Sequence, residues 1–516
     1  MPDSLEFPSR FAIETPDHPA IINASDGQVV TYAQLDDRSL RIANLMRSLG
    51  LGVGDHLAVL VDNRPEFLEI VWAGLRSGLL VTPINWHLGA DEAAFIIDDC
   101  EARVLFASGS VAEVGATIAA SDSVSRLEGR FSVGGPIEGF VALDDAIADQ
   151  PTTPPSDECE GNWMFYSSGT TARPKGVVPA FNGQPIGTAN GFAMLVKFLY
   201  GGDETSVYLS PAPLYHAAPA AWTTTMHRLG ATSVVMDRFE PHAVLAAIEK
   251  YRVTHAQFVP THLVRLLKLS EQERARYDLS SLRCVVHAAA PCPPEVKRAA
   301  MEWLGPIVYE YYSGSEGVGF CAIGPQEWLE RPGSVGKCLT GPVHIVGPDG
   351  EEVAVGEEGE VWFEPPGRFE YQGNEQATAQ AYDHRGWSTL GEMGRVDEEG
   401  YLYLTGRASN MIVSGGVNIS PQESEDVLIA HPAVADVVVL GVPHPDFGEA
   451  VRAIVQPVEG ALARAGEEAL GAELIEACRA QLSRYKGPTS VVFVEELPRL
   501  PTGKLVKRKL PASLLR

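Results

Sequence analysis

The stretch HLAVLVDNRPEFLEIVWAGLRSGLLVTPI, residues 56–84, decides the fold class of this 516-residue chain. His56–Val61 has the apolar run of a buried strand, Arg64–Leu79 has the apolar spacing of a helix, and Leu80–Ile84 again has a strand pattern. A helix pattern at Ala90–Cys100 and a strand pattern at Arg103–Phe106 continue the alternation. Such βαβ units predict an α/β fold with a doubly wound, mostly parallel sheet.

Further strand and helix patterns follow through residues 206–287, and the pattern of the sequence then changes. Residues 333–404 contain short strands separated by turns such as Pro348-Asp349-Gly350, which predicts a β-rich subdomain. After Arg407 a compact α+β pattern begins. We therefore predict a large N-terminal domain over residues 1–408 and a small C-terminal domain over residues 409–516.

The composition excludes several classes of protein. The chain has 67 Asp and Glu against 40 Lys and Arg, so its net charge of −27 repels nucleic acid and anionic membranes. No signal peptide and no apolar run of about 20 residues is present, so we expect no membrane span. Seven scattered cysteines argue against a disulfide framework or a zinc site. We expect a cytoplasmic protein with buried free thiols.

Residues 166–177, YSSGTTARPKGV, form the most informative motif. Hydroxyl groups, a cation and glycines that let the backbone approach closely are what a polyphosphate needs. The loop is not a Walker A loop, because Pro174 precedes Lys175 and Gly176 follows it. The candidate phosphate-binding residues are Ser167, Ser168, Gly169, Thr170, Thr171 and Lys175.

This loop resembles the phosphate-binding signature of the adenylate-forming superfamily, which includes acyl-CoA synthetases, the adenylation domains of peptide synthetases and beetle luciferases. Other motifs of that superfamily recur in the expected order over nearly the whole chain. The resemblance implies a nucleotide-binding large domain, a mobile small domain and a catalytic role for Thr170.

Residues 311–317, YYSGSEG, match an aromatic and acidic element of the superfamily. The resemblance implies that Tyr311 and Tyr312 lie at the nucleotide, with Tyr312 stacked on adenine. It also implies that Ser315 contacts phosphate and that Glu316, a catalytic residue, holds Mg²⁺. An aromatic face suits a base, and a carboxylate oxygen suits magnesium.

Three further segments complete the implied nucleotide site. In the superfamily, a segment of small residues that follows a strand lies beneath the nucleotide. In this chain Ala288 replaces the usual first glycine of that segment. Glu392 replaces the usual aspartate that binds the ribose hydroxyls, and Arg407 is expected at the ribose or phosphate. The small residues implied to bind the nucleotide are Ala289, Ala290 and Pro291.

The C-terminal motifs resemble the mobile lid of the superfamily. Lys504, in the segment LPTGK, is implied to bind the nucleotide and to span the carboxylate and the α-phosphate as the main catalytic residue. Ser409 stands at the hinge position and is followed by Asn410, where relatives commonly have Asp-Asp or a lysine. Ser414, Gly415 and Gly416 resemble the loop that lines the CoA tunnel.

The acyl pocket is predicted from weaker signals. His216 resembles the histidine at the acyl pocket of CoA ligases, and the aspartate that holds an amino group in amino-acid-activating domains is missing. Ala217, Ser313 and Gly314 are small and favour a roomy pocket, although the alanines fit helix packing equally well. We expect a hydrophobic acid, fatty or polycyclic.

The leading hypothesis is an ATP-dependent acid:CoA ligase that uses Mg²⁺, with ATP, CoA and a carboxylic acid as small-molecule partners. One alternative is an enzyme confined to adenylation, which passes its acyl-adenylate to a partner. Another is a non-catalytic nucleotide-binding protein. The sequence leaves open a homodimer and a downstream acyl-transfer enzyme.

Overall fold

The computed structural model describes residues 6–167, 174–181, 183–407, 410–414, 417–499, 505–506 and 509–515. The chain forms two compact units, which we describe separately. The first comprises Met1–Gln257, Glu271–Val285 and Gly367–Gln380, and the second comprises Phe258–Ser270, Val286–Pro366 and Ala381–Arg516.

Helices and strands are numbered in chain order. The helices are α1 Pro8–Glu14, α2 Tyr32–Ser48, α3 Pro65–Arg76, α4 Ala90–Asp99, α5 Ala112–Ala119, α6 Leu143–Ile147, α7 Gly191–Tyr200, α8 Ala217–Arg228, α9 Pro241–Tyr251, α10 Pro260–Leu267, α11 Glu271–Arg274, α12 Pro294–Leu304, α13 Pro325–Glu330, α14 Glu375–Gln380, α15 Pro421–Ile429, α16 Ala461–Ala465 and α17 Glu467–Gln481. The strands are β1 Pro19–Asn23, β2 Val29–Thr31, β3 His56–Leu60, β4 Leu80–Pro83, β5 Val104–Ser108, β6 Gly129–Val133, β7 Val141–Ala142, β8 Asn162–Trp163, β9 Tyr166–Ser167, β10 Lys175–Val178, β11 Val207–Ser210, β12 Thr232–Val235, β13 His255–Phe258, β14 Cys284–His287, β15 Val308–Ser313, β16 Phe320–Ile323, β17 Lys337–Cys338, β18 Val343–Val346, β19 Gly359–Phe363, β20 Glu370–Tyr371, β21 Ser388–Val396, β22 Leu402–Arg407, β23 Ile412–Ser414, β24 Val417–Ile419, β25 Val434–His444, β26 Gly448–Pro457 and β27 Ser490–Phe493.

A six-stranded parallel sheet lies in the first unit, in the order β7-β6-β5-β3-β4-β8. Because successive strand residues point to opposite faces, β3 contributes to two cores. Leu57 and Val59 pack in a cluster with residues of α2 and α3, whereas Ala58 and Leu60 pack in a cluster with residues of α4 and α5. Helices therefore cover both faces, and the predicted doubly wound α/β fold is confirmed.

The first unit has two further strand groups. Strands β13, β11, β12 and β1 run parallel in that order, and β2 pairs antiparallel with β1. The second group is the antiparallel sheet β20-β10-β9, in which β10 pairs with strands on both sides. This small sheet holds the two ends of the predicted phosphate loop.

The second unit is rich in antiparallel strands. Strand β16 pairs with β15 and β17, and β18-β19-β21-β22 form a four-stranded sheet over the predicted β-rich segment. Near the C-terminus, β24-β23-β26-β25 form a sheet to which β27 adds in parallel beside β26. Valines of β25 pack with Leu428 of α15 and Leu470 of α17. The boundary at residue 408/409 stays a prediction, because both residues lie outside the described part.

All seven cysteines are free. Cys100, Cys284, Cys321 and Cys478 are buried as expected, but Cys159, Cys292 and Cys338 are only half-buried. Over the part of the chain that the structure describes, no helix combines the length and the apolar character that crossing a membrane requires.

Candidate active site

The predicted phosphate loop begins and ends on paired strands of the first unit. Ser167, the last residue of β9, lies opposite Lys175, the first residue of β10. Four of the predicted loop residues fall outside the described part of the chain: Ser168, Gly169, Thr170 and Thr171. Their roles, including the catalytic role of Thr170, stay predictions.

Lys175 borders a cavity of about 250 Å³ within the first unit. Its ammonium nitrogen lies 5.0 Å from the centre of the Tyr371 ring, a favourable position for a cation. The Tyr166 hydroxyl donates a hydrogen bond to Asp99 at 2.6 Å, and burial raises the pKa of Asp99. The cavity is lined by Phe95, Asp99, Pro174, Lys175, Gln372, Gly373 and Asn374.

Sequence reasoning missed the lining residues on α4 and around residues 372–374. Tyr371 pairs with Val177, and the backbone N–H of Gln372 donates to Gly176 at 2.8 Å. Nearly 200 residues separate these segments in the chain. No local pattern indicates such a pairing, so no sequence signal could have found it.

In the second unit, Tyr311 and Tyr312 are neighbours among the three tyrosines of β15, so they point to opposite faces of the strand. Tyr311 is buried and stacks on Phe320, with ring centres 5.0 Å apart. The ring centre of Tyr312 lies 6.1 Å from that of Phe363. The buried hydroxyl of Tyr312 has no hydrogen-bond partner among the described residues. Burial raises the pKa of Tyr312, and the charges of Glu392 and Arg407 are close enough to act on it.

The last residue of β15 and the turn after it hold the next predicted residues. The Ser313 hydroxyl donates to the carbonyl oxygen of Gly319 at 2.7 Å, and the Ser315 hydroxyl lies 3.3 Å from Glu316 Oε2. A Cβ atom at Gly314 would lie 2.6 Å from Leu390 Cδ1. A side chain here would require Leu390 to move, so the turn lies close to the segment that leads to Glu392.

Glu392 and Arg407 lie opposite each other on β21 and β22. The Arg407 Nε group donates to Glu392 Oε1 at 2.9 Å, and Glu392 Oε2 is buried without a hydrogen-bond partner among the described residues. Burial raises the pKa of Glu392, Arg407 opposes this shift, and the charge of Glu316 adds to it. The structure thus brings together Tyr312, Glu316, Glu392 and Arg407.

The small-residue segment after β14 is accessible to solvent. Ala289, Ala290 and Pro291 are exposed, and Ala289 has a φ angle of +73°. A left-handed backbone is costly for alanine. The replacement of the usual first glycine by Ala288 stays a prediction, and Ala289 is the residue of this segment whose conformation favours glycine.

A buried ionic cluster follows this segment in the chain, and it too was missed. The ammonium group of Lys297 on α12 lies 2.6 Å from Glu310 Oε2 on β15, and His287 Nε2 lies 3.5 Å from the same oxygen. Lys297 and His287 are fully buried. The cluster connects the start of the exposed segment with the strand that carries Tyr312.

The predicted acyl-pocket residues lie in different units. In the first unit, half-buried His216 immediately precedes α8, and its ring centre lies 4.2 Å from that of Tyr215. Ala217 is half-buried, whereas Ala220 is fully buried. Ser313 and Gly314 belong to the second unit.

Of the predicted C-terminal residues, only Ser414 is described. It pairs with Val417 in the hairpin of β23 and β24. Flanking the predicted hinge, the Ser420 hydroxyl donates to the carbonyl oxygen of Thr405. The hinge residue Ser409, the tunnel residues Gly415 and Gly416 and the lid residue Lys504 lie outside the described part.

Comparisons with known proteins agree with this architecture. The family described as AMP-binding enzyme matches residues 9–370, and the AMP-binding enzyme C-terminal domain matches residues 423–504. The chain is 33% identical over 484 residues to a feruloyl-CoA synthase of Amycolatopsis sp, covering 93% of each protein. It is 30% identical to the long-chain-fatty-acid–CoA ligase FadD13 of Mycobacterium tuberculosis, covering 95% of this chain and 94% of that protein.

A solved structure supports the same assignment. The ATP-bound structure of MatB from Rhodopseudomonas palustris superposes with a TM-score of 0.80 at 26% identity, covering 98% of this chain and 99% of that one. The fold and the matched segments define an adenylate-forming α/β enzyme. The chain belongs to the AMP-binding enzyme family, and the predicted class of acyl-CoA synthetase is confirmed.

Proposed function

We propose that this enzyme is an ATP-dependent acid:CoA ligase that activates a hydrophobic carboxylic acid. The observation that carries the proposal is the group of Tyr312, Glu316, Glu392 and Arg407 in the second unit. Within it, the Tyr312 hydroxyl and Glu392 Oε2 are buried without hydrogen-bond partners among the described residues. Leaving such groups unpaired costs about 1 to 3 kcal/mol each, so a ligand that pairs with them is favoured.

The nucleotide would use this group as follows. The face of the Tyr312 ring would stack on adenine, and Glu392 Oε2 would accept a hydrogen bond from a ribose hydroxyl. Arg407 already holds the other oxygen of Glu392 and would orient the carboxylate. Lys175, beside its cavity in the first unit, would bind phosphate oxygens together with the loop residues that follow Ser167.

Glu316 fits the role of a magnesium ligand. Its carboxylate offers the hard oxygen that Mg²⁺ prefers, and its charge already raises the pKa of Glu392. A cation here would relieve that repulsion between carboxylates. The described residues contain no cluster of three or more His, Cys, Asp and Glu able to hold a metal. Phosphate and water would therefore complete the coordination, and the ion would neutralise phosphate charge.

The reaction would proceed in two balanced steps. An oxygen of the acid attacks the α-phosphorus, the bond to the bridging oxygen breaks, and pyrophosphate leaves. The CoA sulfur then attacks the acyl carbon, AMP leaves, and the thiol proton passes to solvent. Lys504 would stabilise the attacking carboxylate and the α-phosphate, with Thr170 assisting. Catalysis would rest on positioning and charge stabilisation.

The acid is proposed to be hydrophobic, either fatty or polycyclic. His216 stands beside the aromatic ring of Tyr215, and small Ala217 follows it at the start of α8. The relatives named for feruloyl and long-chain fatty acids add support, because both names describe acids with large apolar parts. No acidic side chain stands at residues 214–218 to hold a substrate amine.

The test begins with a panel of fatty, aromatic and polycyclic acids, each incubated with enzyme, ATP and Mg²⁺. We expect acid-dependent pyrophosphate release and, when CoA is added, an acyl-CoA thioester detected by mass spectrometry. Release without a thioester would favour an enzyme confined to adenylation, as the Ser409-Asn410 hinge suggests. If none of the acids caused pyrophosphate release, the proposal would be contradicted.

Lys504 offers a sharper test of the first step. We expect Lys504→Ala to abolish acid-dependent ATP–pyrophosphate exchange, while thioester formation from supplied acyl-adenylate largely persists. Lys509→Ala is the matched control, because Lys509 is an exposed residue of the same basic C-terminal segment. Unchanged exchange in Lys504→Ala would remove Lys504 from the mechanism.

A further inference from the structure

Two cysteines of the second unit face each other across antiparallel strands. Cys321 of β16 is registered directly opposite Cys338 of β17. In the neighbouring pair, the backbone N–H of Leu339 donates to Phe320 O at 2.8 Å. Because hydrogen-bonded and non-hydrogen-bonded pairs alternate along an antiparallel ladder, the two cysteines form a non-hydrogen-bonded pair.

This register suits a covalent bond between the two sulfurs. The Cα atoms of a non-hydrogen-bonded pair are about 4.5 Å apart. Disulfides accept Cα separations of about 4.4 to 6.8 Å. Both side chains also point to the same face of the sheet, and the two thiols lie within hydrogen-bond reach of each other.

The environments of the two thiols differ in a way that assigns their roles. Cys321 is fully buried, whereas Cys338 is half-buried with the Thr340 hydroxyl 3.5 Å away. A hydrogen bond from the Cys321 thiol lowers the pKa of Cys338 to about 5, and the pKa of Cys321 is raised. The thiolate is the reactive form of cysteine. The accessible member of the pair is therefore also the nucleophilic one.

The other five cysteines lack this combination. Burial raises the pKa of each of them, including the half-buried Cys159 and Cys292. Cys338 is thus the one cysteine among seven with a lowered pKa, and it has a second thiol directly opposite. These two properties together distinguish a redox-active pair from ordinary buried thiols.

We propose that Cys338 is a site of reversible oxidation by peroxides and that Cys321 converts the oxidised form to a disulfide. The Cys338 thiolate attacks a peroxide oxygen, the O–O bond breaks, and a sulfenic acid and hydroxide form from hydrogen peroxide. The Cys321 sulfur then attacks the Cys338 sulfur, and the sulfenic oxygen leaves as water with the Cys321 proton. Dithiothreitol restores both thiols by exchange.

The cysteine pair lies on two strands, one of which is next to the strand that carries Tyr312. Strand β16 also pairs with β15, where Cys321 is registered opposite Tyr312. The disulfide would therefore form one strand away from the tyrosine assigned to adenine. The thiol chemistry itself does not depend on the proposed ligase activity, and its test needs no substrate.

The test treats the full-length reduced protein with hydrogen peroxide and maps tryptic peptides without reduction. Cleavage after Lys337 places the two cysteines in separate peptides. We expect a linked peptide pair that dithiothreitol separates. Cys321→Ser should lose the link and accumulate a Cys338 sulfenic acid that a cyclic 1,3-dione labels, whereas Cys159→Ser should behave like the wild type. Absence of the linked pair would overturn the proposal.

A second measurement uses only the wild-type protein. On the folded, reduced wild type at pH 7, we expect iodoacetamide to alkylate Cys338 at least about tenfold faster than half-buried Cys159, because only Cys338 is mostly thiolate. Equal rates at the two cysteines would contradict the assignment of Cys338 as the reactive thiol.

Discussion

Arg407 places two guanidinium nitrogens on a single oxygen of Glu392. Its Nε and Nη2 atoms lie 2.9 and 2.8 Å from Glu392 Oε1. Because both donors converge there, Glu392 Oε2 remains buried without a hydrogen-bond partner among the described residues. The pair therefore fixes the carboxylate and leaves one oxygen available for a ligand hydroxyl, which is the geometry a ribose site needs.

Replacing Glu392 tests this arrangement. We expect Glu392→Gln to raise the KM for ATP in acid-dependent pyrophosphate exchange about 5- to 30-fold, because a neutral acceptor loses about 1 to 2 kcal/mol of charge-assisted hydrogen bonding. Glu399→Gln is the control, since Glu399 is an exposed carboxylate that pairs with Arg331 in a surface turn. An unchanged KM in Glu392→Gln would exclude Glu392 from the nucleotide site.

Ala289 provides a test of backbone strain. We expect Ala289→Gly to raise the free energy of unfolding by about 0.5 to 1 kcal/mol. Relief of the left-handed conformation gains about 1 to 2 kcal/mol, and the entropy of glycine in the unfolded chain removes about 0.5 to 1 kcal/mol of that gain. The matched control is Ala290→Gly, at an exposed neighbour without a positive φ angle, which should lower the same free energy. Urea denaturation would measure the free energy of unfolding of both variants. Equal changes in Ala289→Gly and Ala290→Gly would contradict backbone strain at Ala289.

The buried ion pair of Lys297 and Glu310 predicts a large loss of stability. We expect Lys297→Met to lower the free energy of unfolding by about 3 to 5 kcal/mol, because it leaves the buried Glu310 carboxylate without its partner. The double variant Lys297→Met/Glu310→Gln should recover at least half of the loss. Arg252→Met, which breaks an exposed pair with Asp278, should cost less than about 1 kcal/mol. Thermal and urea unfolding would measure the free energy of unfolding of all three variants. A small loss of that free energy in the single variant Lys297→Met would contradict the prediction.

His227 predicts a dependence of stability on pH. It is fully buried, accepts a hydrogen bond from Trp72 Nε1 at Nδ1 and lies 3.1 Å from the carbonyl oxygen of Ala20 at Nε2. Burial lowers the pKa of His227 to about 3, against an unfolded value of about 6.5. Because the unfolded chain takes up the proton first, stability is lost as the pH falls below about 6.5.

Between pH 7.5 and 5 this residue should therefore contribute a loss of about 2 kcal/mol. His227→Gln, which cannot take up a proton, should show a correspondingly smaller change in the free energy of unfolding over the same range. Urea titrations at both pH values provide the measurement. Identical pH dependence in the two proteins would mean that His227 does not control it.

Much of the fold could be predicted from the sequence. The segment 56–84 contains β3, α3 and β4 within three residues of the predicted bounds, because a buried strand and a helix that packs on it have distinct apolar periods. The same reasoning predicted a compact α+β segment after Arg407, where the structure has α15, β25, β26 and α17. The resemblance of short motifs also pointed to Glu392 and Arg407, which the structure brings together with Tyr312 and Glu316.

The sequence by itself thus determined the α/β class, the family and the candidate nucleotide residues, since these depend on local periodicity and on motifs of a few residues. Only the tertiary structure decided which tyrosine of β15 faces Glu392, that residues 372–374 line the cavity at Lys175, and that Cys321 opposes Cys338. Each of these depends on strand register and on burial between segments far apart in the chain. A register shift of one residue would turn every side chain of a strand to the opposite face, and no local pattern records that choice.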